Sequence, residues 1–364
     1  MKIHGISIVI VLLSVLFASC KVEFSPNAAW QEIPVVYCVL DQDADTTFVR
    51  VQKCYLGEGN NLAYSTVFDS VNYPKGSLEV KMLAWKAVRT QYGMLEKDPS
   101  ATTPKKEFSF DYYISHDKEE GNFAAPEQPL YICITRGLLD TACVFQLLVI
   151  KTETGDTIAT SFTSLVGNYA DMSILLRHPN NNTKFQFSGS AGNGRCAFEW
   201  LTLPRARQYQ PMVRFYYRDF MVYDRGDHFD TTIIPHHLDI PVSSVKVNLN
   251  AYVAQTNLDE QRYLAAIKDG LKDKILDENG DTINRNIIDS VDIYIKACTE
   301  ELAAYLFSQA DNGSINQDGY NYSNIEGGKG VFAARRAKIF FRIATPPNSD
   351  SRYKKKIKEL GVGF

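Results

Sequence analysis

Short stretches in which apolar and polar side chains alternate follow one another along most of this chain. In Val213–Tyr217, Val213, Phe215 and Tyr217 fall on one face and Arg214 and Tyr216 on the other, the period of a half-buried strand. Ile33–Leu40 (IPVVYCVL) and Thr46–Val51 (TTFVRV) read as strands around an acidic turn, LDQDAD. Ser77–Trp85, Glu107–Tyr113, Leu130–Arg136 and Phe145–Lys151 are further short strands, rich in Val, Phe, Tyr and Ile and bounded by Gly, Pro or Asp. Lys184–Ser188 and Arg195–Leu201 continue the series in the second half. Helical spacing is confined to that half. Asn257–Leu271 sets Leu258, Tyr263, Leu264 and Ile267 roughly on one stripe, and Thr299–Gln309 opens with a capping Thr and two dipole-matched Glu residues. Asn279-Gly280, between apolar segments, signals a hairpin turn.

Strands joined by such short connections predict a mostly-β protein built as two β-sandwich-like domains, the second with one or two short helices. The first runs over residues 30–166 and closes near Leu165; the second covers 167–364. In the second, Trp200 followed by Leu203, Pro204, Ala206 and Tyr209 resembles an immunoglobulin-like or fibronectin-like domain, where a buried Trp and a Tyr help join the two sheets.

The first twenty residues are of another kind. A polar start with Lys2 and His4 precedes an apolar run from Ile6 to Phe17, broken only by Ser7 and Ser14, and then come Ala18, Ser19 and Cys20. This is the layout of a secretory signal, residues 1–20, with an apolar part too short for a permanent span of about 20 residues. A cysteine directly after two small residues resembles a bacterial lipobox, although the position three before it is Phe17 where leucine is usual. Cys20 is then the lipidated first residue of the mature chain, and residues 21–29 form its tether.

Composition adds limits. A charged fraction of 22% with 45% hydrophobic residues is that of a folded chain, and a net charge of −3 gives no basic face for nucleic acid. The one basic run, Lys354, Lys355, Lys356 and Lys358, reads as a solvated tail. Cys38, Cys54, Cys133, Cys143, Cys196 and Cys298 remain once Cys20 is assigned; their even number permits disulfides, while apolar neighbours suit buried free thiols equally.

Candidate chemistry is sparse. Asp41, Asp43 and Asp45 have the alternate spacing of a calcium loop without its glycine or closing glutamate. In SINQDGYNYSNIE, Ser314, Asn316, Asp318 and Gly319 fit better, but Ile325 stands where the last acid belongs. His228, His236 and His237, among Asp224, Asp227 and Asp230, lack zinc-ligand spacing, and an extended backbone sends adjacent His236 and His237 to opposite sides. Arg225-Gly226-Asp227 spells a tripeptide read by some adhesion receptors, and a turn explains it equally. No nucleophile elbow, phosphate loop or zincin motif occurs, so the residues name no catalytic, metal or cofactor site. The glycines of NIEGGKGVFAARR lack Walker spacing and read as a tight bend before a closing strand. Seven segments, among them Asp140-Thr141-Ala142, Asp156-Thr157-Ile158 and Asp230-Thr231-Thr232, resemble the O-glycosylation sequon of exported Bacteroidota proteins; they equally suit turn-to-strand junctions.

The lipobox, the early PVVYCVLDQDADTTFVRVQKCYLGEG and the late TEELAAYLFSQ…YSNIEGGKGVFAARRAKIFF together resemble a family of uncharacterised Bacteroidota envelope lipoproteins, many encoded beside TonB-dependent receptors. The resemblance implies a lipid-anchored outer-membrane protein, on the periplasmic face or the cell surface, that partners such a receptor in ligand capture, with no enzymatic activity and no cofactor. Its alternatives are a structural or adhesive module of a fimbria or matrix, and a surface hydrolase.

Overall fold

The computed structural model describes residues 32–54, 61–91, 93–119, 121, 125–167, 174–177, 184–188, 194–248, 251–271, 284–310, 322–346 and 352–364. Cys20, the tether, the Asn279-Gly280 turn and the segment from Ser314 to Gly319 lie outside them. Described strands far outnumber helices, so the fold is mostly β, as the alternating pattern requires.

In the first half, β1 (Pro34–Asp41), β2 (Thr46–Lys53), β3 (Leu78–Arg89), β4 (Leu95–Lys97), β5 (Lys106–Ser115), β6 (Gln128–Ile134), β7 (Cys143–Lys151) and β8 (Thr157–Ser164) pair in the order β1-β2-β6-β5-β3-β7-β8, with β4 on the end of β3. Two short helices, α1 (Asn61–Ser65) and α2 (Phe68–Val71), lie between β2 and β3, where the sequence pattern gave no helical stripe. Alternate residues point inward: Val36, Cys38 and Leu40 from β1, Val49 and Val51 from β2, Phe145, Leu147 and Val149 from β7. Leu165, fully buried, belongs to this core.

The second half contains β9 (Ile174–Arg177), β10 (Arg195–Leu201), β11 (Gln208–Asp224), β12 (Phe229–Pro241), β13 (Val245–Lys246), β14 (Val253–Asp259), α3 (Glu260–Leu271), β15 (Asn284–Cys298), α4 (Glu300–Ala310), β16 (Lys329–Ala344) and α5 (Arg352–Lys358). Strands β14-β10-β9 form a small sheet; β12-β11-β15-β16 extend the large one. Between them lie Phe198 and Trp200 of β10, Val213, Phe215 and Tyr217 of β11, Tyr263 and Ile267 of α3, and Tyr353 and Ile357 of α5. Tyr209 packs edge-on to Trp200 at 5.5 Å, and its hydroxyl accepts the Leu203 N–H at 2.6 Å. That tyrosine-to-backbone bond, six residues upstream, fixes the corner where the chain enters β11.

Strand β16 joins the halves. Its first part pairs parallel with β1, from Val35↔Lys329 to Asp41↔Arg335, and its remainder pairs antiparallel with β15. Phe332 and Ala334 therefore sit in the first core, with Ile325 ahead of them. Burying one such phenylalanine contributes about 1.5–3 kcal/mol. Gly330, at φ +114°, passes so close to Val36 that a Cβ would run into the Val36 carbonyl oxygen. Just before it, Glu326 exchanges backbone hydrogen bonds with Thr160 of β8 at 3.0 and 2.8 Å, so the segment wedges between β8 and β1.

The basic C-terminal run is not a solvated tail. Tyr353 and Ile357, four apart on α5, are buried, while Lys356 donates to the buried Glu260 at 2.6 Å and Lys354 pairs with Asp289. Charge dominates the segment, but its two apolar positions decide where it goes.

Candidate interaction surface

Strands β1, β2, β6 and β5 expose the face opposite the first core. Register places Thr46 opposite Ile134, Phe48 opposite Ile132, Asp111 opposite Ile132 and Tyr113 opposite Leu130. An ordinary half-solvated sheet is polar here. Instead Ile134 is 75% exposed and Phe48 49% exposed, with Tyr113 also open and Leu130 and Ile132 half-buried between them. Leu130, Ile132 and Ile134 follow one another along β6 on this face, and with Phe48 and Tyr113 across the paired strands they make an apolar stripe edged by Thr46 and Asp111.

At the border of the stripe stands Arg50, half-buried and opposite Tyr37 on β1. The Tyr37 ring meets Tyr305 of α4 edge-on at 5.9 Å. With the Gln128 amide oxygen turned toward it, the Arg50 guanidinium donates at 2.9 and 3.2 Å. Burial holds Arg50 below the usual guanidinium range, with the nearby Tyr37 and Tyr305 phenols acting in the opposite direction. Among the described residues Arg50 forms no ion pair with a carboxylate. A cation beside tyrosines and an apolar stripe is the composition of an interface centre, where Tyr, Phe and Arg are enriched.

The sequence pointed elsewhere. Asp41, Asp43 and Asp45 converge on no common point; Arg335, Arg336 and Arg136 take one each at 3.1 Å. His236 and His237 do face opposite ways. His236 stacks on Tyr217 at 5.2 Å and approaches Asp219 at 3.4 Å, whereas His237 lies against Tyr216. His228 stays at the β11–β12 tip with Asp227 and Asp230. Among the described residues no group of three or more His, Cys, Asp or Glu is placed to hold a metal ion. Arg225-Gly226-Asp227 occupies the same tip, with Gly226 at φ +88° and Arg225 paired to Asp230 at 3.0 Å. The six cysteines of the described residues are free thiols. Of the sequon-like hydroxyls, Thr157 and Thr231 are exposed and Thr141 is half-buried; Asp281-Thr282-Ile283 lies outside the described residues.

Two ionic knots lie in the second half, one buried and one on the open face of the sheet. Arg285, its side chain wholly buried, donates to Asp219 at 3.0 Å and to the Val362 carbonyl at 2.6 Å. On the opposite face of the sheet, Arg214 grips Asp239 with two bonds of 2.6 and 2.8 Å, and Tyr216 donates to the buried Asp292 at 2.7 Å. The Arg214 guanidinium holds the Asp239 carboxyl below its usual range, while burial pushes the Tyr216 phenol up to about 12. Each charge in these knots has a partner already, so they hold strands rather than present a reacting group.

Sequence reasoning missed the exposed stripe, yet its signal was present. LYICI of β6 is apolar on both faces, and Phe48 occupies the outward register of β2. No helix of the described residues is long and apolar enough to cross a membrane. In comparisons with known proteins, no protein-family model matches this chain, and no curated protein matches it significantly.

Proposed function

We propose that this chain is a lipid-anchored binding protein of a bacterial cell envelope, tethered to the outer membrane through acylated Cys20 and partnering a TonB-dependent receptor in ligand capture. The observation that carries the binding role is the open stripe of Phe48, Ile132, Ile134 and Tyr113 beside Arg50. Leaving such side chains in water forgoes about 25 cal/mol per Å² of apolar surface, which a docked partner recovers. The anchoring role rests on the signal-like start and its cysteine. Fourteen positions separate Cys20 from Pro34, a reach of at most about 50 Å, which keeps the folded part close to the membrane.

Two experiments test it. Cells fed an alkyne palmitate should label the wild-type chain and not Cys20→Ser; equal labelling, or none in either, overturns the anchor. Cross-linked pull-downs from solubilised envelopes should recover an outer-membrane receptor with wild type and lose it with Phe48→Ser/Ile134→Asp. Both substitutions are on exposed positions, so unchanged recovery removes the stripe as the docking surface.

One observation favours an adhesive reading: β12 ends the large sheet, and among the described strands none pairs with its outer edge, where a strand could be added. Pro235 in its middle and the charged Asp230 and Asp239 blunt that edge, so the receptor-partner reading is preferred. Concentration-dependent polymerisation of the purified chain would reverse the preference.

A further inference from the structure

A cavity of about 360 Å³ opens at the seam between the two halves. The β3–β4 hairpin supplies Arg89 and Leu95, the turn before β7 supplies Thr141 and Ala142, and the second half supplies Pro204 and Arg205. Its volume is within the range of small-molecule sites, and seams between packed units are where such sites concentrate.

Two cations face this space, and among the described residues no Asp or Glu lines it. Arg205 spends two of its N–H groups on backbone carbonyls, Nε to Leu165 at 2.6 Å and Nη2 to Thr141 at 3.2 Å. Among the described residues neither Arg89 nor Arg205 forms an ion pair with Asp or Glu. Burial first, and then the charge of Arg89, hold the Arg205 guanidinium below its usual range. Two like charges turned into one small cavity repel each other, and among the described residues only the two backbone carbonyls that Arg205 meets offset them.

The backbone adds a second cost. Arg205 has φ +66°, a left-handed conformation that non-glycine residues seldom adopt. A glycine would serve a plain turn better there. Arg205, its side chain oriented by the two carbonyl bonds, lines the cavity as a preset cation, and strain of this sort gathers at ligand clamps. A Cβ at Gly167 would come within 2.7 Å of the Pro204 ring, so that wall has no room for a side chain.

We propose that this seam cavity binds the oxyanion group of a small molecule, with Arg89 and Arg205 as its paired donors. Guanidinium groups match sulfate, phosphate and carboxylate through paired N–H bonds. Leu95, Ala142 and Pro204 give the remainder of the ligand an apolar wall. The site is separate from the outer stripe, so its fate does not depend on the docking proposal.

The test is calorimetric titration of the purified folded chain with sodium sulfate, sodium phosphate and sodium glucuronate, using sodium chloride at matched ionic strength as control. At least one oxyanion should bind in a saturable one-to-one manner, and the one that does distinguishes tetrahedral from carboxylate ligands. Arg89→Gln alters an exposed side chain without a structural bond and should weaken binding at least tenfold with an unchanged melting temperature. Arg205→Gly keeps a residue suited to positive φ and should abolish binding while the chain stays folded. Absence of saturable binding beyond the chloride control, or equal affinity in either variant, overturns the proposal.

Discussion

The side-chain amide of Asn324 hydrogen-bonds both backbone groups of Phe332: it accepts the N–H at 2.9 Å and donates to the carbonyl at 2.7 Å. Asn324 thereby acts as a short extra strand beside β16, while its own carbonyl accepts Ser161 Oγ at 2.6 Å from β8. Replacing Asn324 with Ala leaves those groups unpaired at the junction, a loss of about 1–3 kcal/mol. Urea unfolding should show a lower midpoint with little change in slope, and Asn324→Asp should recover only the bond from the Phe332 N–H.

Gly330→Ala asks more of the same junction. The added methyl would collide with the Val36 carbonyl oxygen at a φ that alanine avoids. The parallel pairing must shift or open, and the expected destabilisation exceeds about 3 kcal/mol, beyond the usual range for a point substitution. Hydrogen exchange at the amides of β1 and β16 should accelerate first.

Tyr209→Phe removes one hydroxyl and leaves the Leu203 N–H unpaired inside the second core. A loss of about 1–3 kcal/mol follows from the desolvated donor. Thermal unfolding checks it, and a melting temperature equal to wild type would show that the corner does not depend on this bond.

Arg285→Met strands the buried Asp219 with only the more distant His236, at an expected cost of about 3–5 kcal/mol. Arg285→Met/Asp219→Leu should regain much of that loss, because two apolar groups leave no buried charge. Chemical denaturation of the single and double variants separates the two outcomes.

The thiols give a pH test. Burial pushes Cys196 and Cys298 up to about 12 and Cys38 higher still. An unfolded cysteine ionises near about 8.5, so the folded chain retains protons that the unfolded chain releases. This contribution to stability is complete below about 8.5 and is lost as pH rises toward the folded values. The melting temperature should fall steadily above about pH 9, and above about pH 10 the buried Tyr209 phenol, raised to about 12, adds a loss of the same sign. At pH 8 an alkylating reagent should reach Cys54, half-exposed, well before Cys38, Cys196 or Cys298.

Much of the fold was legible because strands are written in local alternation. Arg195–Leu201 and Thr46–Val51 could be read from their own residues. Pairing of β1 with β16 could not, because no local feature tells Val36 that Gly330, far along the chain, will lie beside it. Once seen, that pairing explains the glycines, Asn324, Ile325 and the Arg335–Asp41 and Arg336–Asp43 bridges as parts of one joint. PVVYCVLD and GGKGVFAARR are the two sides of this joint, so these segments report architecture rather than chemistry. The interaction stripe stayed hidden for a different reason. Ile134 and Phe48 look like core residues in sequence, and only the strand register turns them outward.

The position of β16 also constrains how the chain matures. Translation delivers β1 through β8 long before Phe332 exists, so the first sandwich emerges with an empty slot beside Val36 and Cys38. It can be completed only after nearly the whole polypeptide has left the ribosome. The first core therefore stays one strand short until Lys329–Ala344 has been made, a late-arriving keystone that defers its final packing.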